Sequence, residues 1–200
     1  MNWLLETLRA GDGAASSFGE DIRWGPATFL LLLASAWWVK WPLIAALAAA
    51  GDCRRRCLPR ATFAAFGAVA AAGALVTIFK ELFDRARPPV SGVEAVGVIP
   101  ASASFPSGHA ATAFAAAVAV GAFYPRLRRP LLGLAAVVAL SRVYLGVHYA
   151  SDVLAGTALG VALGLASVWL VRAVAPAPTA PLPSPARVGT SFARLRRSPG

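Results

Sequence analysis

Eight polar residues interrupt otherwise apolar stretches of this chain: Lys80, Arg87, Ser107, His109, Ser141, Arg142, His148 and Asp152. Lys80 and Arg87 are seven residues apart, two helical turns, so both can lie along one helix face. Pro106-Ser107-Gly108-His109 opens an apolar run. The free N–H groups and positive dipole end of a helix starting there form an anion site, and Gly108 lets an anion approach the backbone closely. Arg142 adds a planar fork suited to phosphate oxygens. His148 and Asp152 are four residues apart, where a carboxylate can hold the imidazole in one tautomer and stabilise its charged form. Three cations, a helix N-terminus and the chain's two histidines are suited to phosphoryl transfer. One imidazole would attack phosphorus while the other protonates the departing oxygen, by positioning and charge stabilisation alone. No acidic cluster near these residues would hold magnesium, so neither a metal nor another cofactor is expected.

The elements that must position these residues are membrane helices. Hydrophobic residues make up 58% of the 200 and charged residues 14%, with a mean hydropathy of +0.63. A water-soluble domain of this size cannot hide that much apolar surface. Apolar runs predict spans over about 28–50, 61–83, 107–124, 131–147 and 153–171. Lys40, flanked by Trp37, Trp38 and Trp41 and followed by Pro42, marks an interface belt in the first run. That run reads as a single span; a broken pair is the alternative. Residues 1–25 form an N-terminal arm in which Trp3, Leu4, Leu5 and Leu8 could make one face of an interfacial helix. A Gly/Ser-rich break is expected at 11–19. Residues 26–172 then form the transmembrane domain, and 173–200 a Pro/Ala/Arg-rich disordered tail. The fold expected is all-α, a polytopic bundle of five or six membrane helices. Residues 1–24 or a split of 26–51 would supply the sixth.

The net charge of +10 raises nucleic acid as a partner, but the arginines cluster in short loops between apolar runs, without a basic stripe interleaved with aromatics. Clusters at 54–60, 126–129 and 194–197 are topology signals that place those loops and the tail in the cytoplasm, and the eight polar residues outside. Cys53 and Cys57 share one loop, lack partners for a metal site, and read as reduced thiols. Glu6, Arg9 and Asp12 interrupt the first stretch, unlike a cleavable signal peptide. Gly156, Gly160 and Gly164 put small residues on one helix face, for packing within the chain or in a homodimer.

The spacing K-ELFDRA-RP at 80–88, PSGH at 106–109 and SR-VYLGV-H-YAS-D at 141–152 resembles the three-part signature of the type 2 phosphatidic acid phosphatase family, whose site is shared with vanadium haloperoxidases. The resemblance covers 80–152 by motif and about 26–172 by the alternation of helices. It implies that His148 is the nucleophile that forms a phosphohistidine, that Asp152 orients and activates it, and that His109 protonates the leaving group. Lys80, Arg87, Ser107, Gly108 and Arg142 would hold the phosphate. It also implies a membrane helix bundle with an extracytoplasmic site that hydrolyses a lipid phosphate or pyrophosphate; the Ala/Arg-rich composition points to a bacterial inner membrane.

Each residue alone has a plainer reading. Lys80 and Arg87 can snorkel, Ser107 and Asp152 can cap helices, and Arg142 can pair with a headgroup. Three ordered motifs on one face outweigh these readings jointly. Two alternatives remain. A phosphotransferase would use the same site on another lipid or sugar acceptor. A non-enzymatic transporter or channel would instead spread its charged residues over several depths, whereas these gather at one end. The partners expected are a lipid phosphate substrate and membrane lipids, with no nucleic acid.

Overall fold

The computed structural model describes residues 2–21, 24–35, 50, 59–88 and 101–175. The Lys40 belt, the Cys53/Cys57 loop, most of the 84–106 loop and the tail beyond Ala175 lie outside the described residues. Six helices are described: α1 (Asn2–Asp21), α2 (Gly25–Ser35), α3 (Arg60–Phe83), α4 (Gly108–Phe123), α5 (Pro125–Tyr144) and α6 (Ala150–Val174). There is no strand among the described residues. Helices α3 and α6 are each long and apolar enough to cross a membrane, and α4 is a shorter apolar helix.

Side-chain size, rather than polarity, separates inside from outside. On α3 the buried positions are Ala61, Ala64, Ala65, Ala68, Ala72 and Val76, a helical stripe of small residues. Phe63, Phe66, Ile78 and Leu82 of the same helix are exposed, as are Leu154, Leu165, Trp169 and Leu170 of α6. Water would penalise so many large apolar side chains on the surface, whereas lipid solvates them. Association then rests on close packing, which alanine and glycine allow.

Helix α4 is the centre of the bundle and packs against α3, α5 and α6, with α3 and α6 also in contact. Its alanines at 110, 111, 113, 115, 116, 117 and 119 are buried. The glycine stripe of α6 seats directly on it. A Cβ built at Gly160 would lie 2.2 Å from the carbonyl oxygen of Ala111, and one at Gly156 would lie 2.4 Å from that of Ser107. The stripe therefore serves packing within the chain. Gly160→Ala should lower stability by about 1–3 kcal/mol, because backbone must move to admit the methyl group. Gly133, with nothing within 4 Å of a built Cβ, is the control, where alanine should be neutral or stabilising. Thermal unfolding in detergent compares them; equal Tm values would contradict the packing described.

Two expectations are corrected. The break at 11–19 does not occur, and α1 continues through it. Ser16 Oγ donates to the Asp12 carbonyl and Ser17 Oγ to that of Gly13, while Asp12 and Ser16 are buried. Tertiary anchoring there overrides weak local propensity. The PRLRRP segment at 125–130, which holds the 126–129 arginine cluster expected in a loop between spans, is the first part of α5. Pro125 occupies the first turn, where its missing N–H costs nothing. Pro130 forfeits a single bond near the helix start. Helix α2 lies against α5, where the Tyr144 hydroxyl accepts from Trp24 N at 2.8 Å and is 3.1 Å from Thr28 Oγ1.

The bundle has two chemically different ends. Arg60 donates to the carbonyl of Ala175, and Arg172 to that of Ala122 while stacking on Phe123. The motif residues occupy the opposite end.

Candidate active site

Four chain terminations build this end. Helix α3 stops at Asp84, in the left-handed region with φ 36°, and Arg87-Pro88 prevents its resumption. Helix α4 starts after Ser107, in extended conformation. Helix α5 ends in a tight turn in which Gly146, at φ 69°, takes the positive φ that glycine tolerates. Val147 and His148 both donate their N–H to the Arg142 carbonyl at 3.2 Å, which fixes His148 just before α6. Asp152, in the first turn of α6, accepts the N–H of Tyr149 at 3.0 Å and so caps that helix. Its carbonyl accepts the N–H of Ser107 at 3.0 Å, joining the PSGH segment to α6.

The imidazole of His148 is 3% exposed and contacted on both nitrogens. Arg87 Nη1 is 3.3 Å from Nε2. A guanidinium can only donate, so Nε2 carries a lone pair and the proton sits on Nδ1. Nδ1 is 3.5 Å from Asp152 Oδ2 and 3.4 Å from Ser104 Oγ. Ser104 donates its own hydrogen to Asp152 Oδ2 at 2.5 Å, which leaves its oxygen free to accept from Nδ1–H. The network therefore selects one tautomer, with an unprotonated Nε2 directed at Arg87. Burial pushes the His148 pKa below the usual imidazole range; the hydrogen bond to Asp152 opposes this, and the Arg87 charge adds to it.

Arg87 is itself buried and holds several backbones together. It donates to Val147 O at 2.7 Å from Nη1, to Ser102 O at 2.9 Å from Nε, and to Ala103 O at 3.3 Å from Nη2. Burial lowers its pKa, against the pull of Asp152. Lys80 Nζ donates to Ser102 Oγ at 2.8 Å. Arg142 is buried; its Nε reaches Ser141 Oγ at 3.2 Å, but its Nη2 has no hydrogen-bond partner among the described residues. The buried Ser107 Oγ has none either. Arg87 repels both Lys80 and Arg142. A cluster of like charges with orphaned donors is costly unless an anion completes it.

Lys80, Arg87, Arg142, His148 and Asp152 thus share one site, and Ser107 joins it through its backbone. Ser141 is buried beside Arg142 and donates to Val138 O at 2.7 Å. Gly108 and His109 stand half-buried in the first turn of α4, next to Ser107. Four participants were not picked out from sequence: Ser102, Ser104, Arg85 and Asp12. Serines in a Gly/Pro/Ser loop give no signal by type. Arg85, which pairs with both Asp12 and Asp152, falls between the signature positions of the first motif, and Asp12 was read only as an interruption of the N-terminal stretch.

A bundle that is all-helical among the described residues, apolar on the outside, with a buried histidine–aspartate pair and a cluster of cations at one end, defines a membrane phosphoryl-transfer protein. Residues 61–175 match the model of the PAP2 superfamily, and the chain belongs to it. It is 37% identical over 126 residues to decaprenylphosphoryl-5-phosphoribose phosphatase of Mycobacterium tuberculosis, covering 63% of this chain and 68% of that one. It is 36% identical over 107 residues to lipid A 1-phosphatase of Rhizobium etli, covering 48% and 44%. The fold is similar to that of the transmembrane PAP2-type phosphatidylglycerolphosphate phosphatase of Bacillus subtilis, with a TM-score of 0.70 and 24% identity over 86% of this chain and 90% of that one.

Proposed function

We propose that this membrane phosphatase of the PAP2 superfamily hydrolyses a lipid phosphate or pyrophosphate through a phosphohistidine on His148. The observation that carries the reading is a pair of buried groups without a hydrogen-bond partner among the described residues, Arg142 Nη2 and Ser107 Oγ, set among mutually repelling cations. The phosphate oxygens satisfy these donors, together with Lys80, Arg87 and the N–H groups around Gly108. In the first step Arg87 exchanges its contact with Nε2 for a phosphate oxygen. Nε2 then attacks phosphorus, the P–O bond to the lipid breaks, and His109 gives its proton to the departing oxygen. Asp152 stabilises the positive charge on the ring. In the second step His109 takes a proton from water, the water oxygen bonds to phosphorus, and the P–N bond breaks. Phosphate leaves and both histidines are restored.

The arginine-rich loops, with Arg60 and Arg172 at the end of the bundle opposite the motif residues, support an extracytoplasmic site and a cytoplasmic tail. The membrane is then the bacterial inner membrane. The relatives named for a phosphorylated decaprenyl sugar and for lipid A support a phosphate carried on a lipid. A panel of lipid phosphates on purified protein, scored by released inorganic phosphate, tests this. Hydrolysis should persist in excess chelator, since the residues assigned here need no divalent ion. Loss of activity with chelator and its return with magnesium would overturn that part of the reading.

The lowered His148 pKa fixes a pH dependence. Attack needs the neutral ring, and a depressed pKa keeps it neutral as pH falls through the ordinary value. The acid limb of kcat/KM, corrected for ionisation of the substrate phosphate, should therefore lie below about pH 6.5. A corrected limb above that value would contradict a buried, neutral nucleophile.

A further inference from the structure

The carboxylate behind His148 is held by groups that are not signature positions of the three motifs. Asp12, midway along α1, is 4% exposed. Arg85 donates from Nη2 to Asp12 Oδ2 at 2.7 Å and from Nη1 to Asp152 Oδ1 at 2.6 Å, spanning the two carboxylates. Asp12 also accepts the Ser151 N–H at 2.9 Å and the Ser151 hydroxyl at 2.6 Å. The Ser151 oxygen accepts from Arg85 Nη1 at 2.7 Å. The guanidinium stacks 4.1 Å above the Tyr149 ring. Every residue from Tyr149 to Asp152 except Ala150 is thus gripped from α1 or Arg85, immediately beside His148.

We propose that Asp12 is a positioning residue of this site: through Arg85 and Ser151 it fixes Asp152 against His148 and sets how much negative charge reaches the imidazole. A guanidinium shared by two carboxylates withdraws less charge from Asp152 than one bound to Asp152 alone. Among the described residues, the charged and titratable groups around the pair are Asp12 from α1, Lys80 from α3, and Arg85 and Arg87 from the following loop. Arg142 of α5, which Arg87 repels, and Tyr149, under the Arg85 guanidinium, complete them, while His109 stands in the first turn of α4. Among these described residues, Asp12 is the only carboxylate besides Asp152. The inference rests on reading His148 and Asp152 as the reacting pair, yet it can be tested without turnover.

The chain has two histidines, so ¹⁵N-histidine labelling of the full-length protein in detergent micelles resolves His148 directly, with His109→Gln assigning the signals. Removing the Asp12 charge leaves Arg85 wholly to Asp152, so Asp12→Asn should lower the His148 titration midpoint. Removing the cation should raise it in Arg85→Gln. Each shift should be about half a unit or more. In turnover, both variants should lose on the order of tenfold in kcat with KM little changed. Asp12→Glu keeps the charge and should restore the wild-type midpoint and most of kcat. Midpoints that move together, or not at all, would overturn the proposal, as would Asp12→Glu behaving like Asp12→Asn. Opposed shifts in a protein that releases no phosphate from any lipid would sustain the Asp12 assignment and remove the phosphatase reading instead.

Discussion

His148→Ala should reduce phosphate release by about four orders of magnitude or more, and no acid-labile phosphoenzyme should accumulate. Removal of a nucleophile that acts as one unit with its base costs on that scale. The loss should fall on kcat, because the cations proposed to bind phosphate remain. Folding should be spared: the backbone N–H of His148 still bonds to the Arg142 carbonyl, and the capping contact of Asp152 to Tyr149 N is untouched. The measurement is single-turnover phosphate release with acid quench, beside thermal unfolding of the same preparation. A folded variant that keeps ordinary turnover would eliminate the phosphohistidine.

Arg87→Lys should be nearly as damaging, at about 10²–10³-fold in kcat/KM, despite keeping the charge. The guanidinium uses all three nitrogens on Val147, His148, Ser102 and Ala103. It therefore fixes the turn that carries His148 against the segment that carries Ser104. A lysine offers one point charge and cannot span those carbonyls, which would be left buried and unpaired. Kinetics on a soluble-chain lipid phosphate would measure the change. Activity within threefold of wild type would mean that Arg87 supplies charge alone.

The three motifs and the main helices were legible because their signals are local. Apolar length marks α3 and α6, and Pro106-Ser107-Gly108 and Arg87-Pro88 mark where backbone must leave a helix. The partners of those motifs were not legible. Asp12 lies 139 residues from Ser151, and a lone aspartate in a mixed segment carries no sign of its destination. Ser104 becomes meaningful only when the Phe105–Pro106 segment brings it beneath His148. The continuity of α1 through 11–19 and the helical PRLRRP segment were misjudged for a related reason. Propensity was weighed without the neighbours that supply the missing bonds.

The central place of α4 governs how the molecule can open. A rod of alanines gripped on three sides, with glycines of α6 touching its carbonyl oxygens, has no room to slide or tilt without lifting its neighbours. Opening is cheapest at the periphery, in α2, where fewer groups interlock; Asp12 pins α1 to Arg85 and Ser151. Any breathing that admits a greasy molecule would then pivot about a fixed axle, leaving the turn that carries Gly108 and His109 at constant height while the walls move.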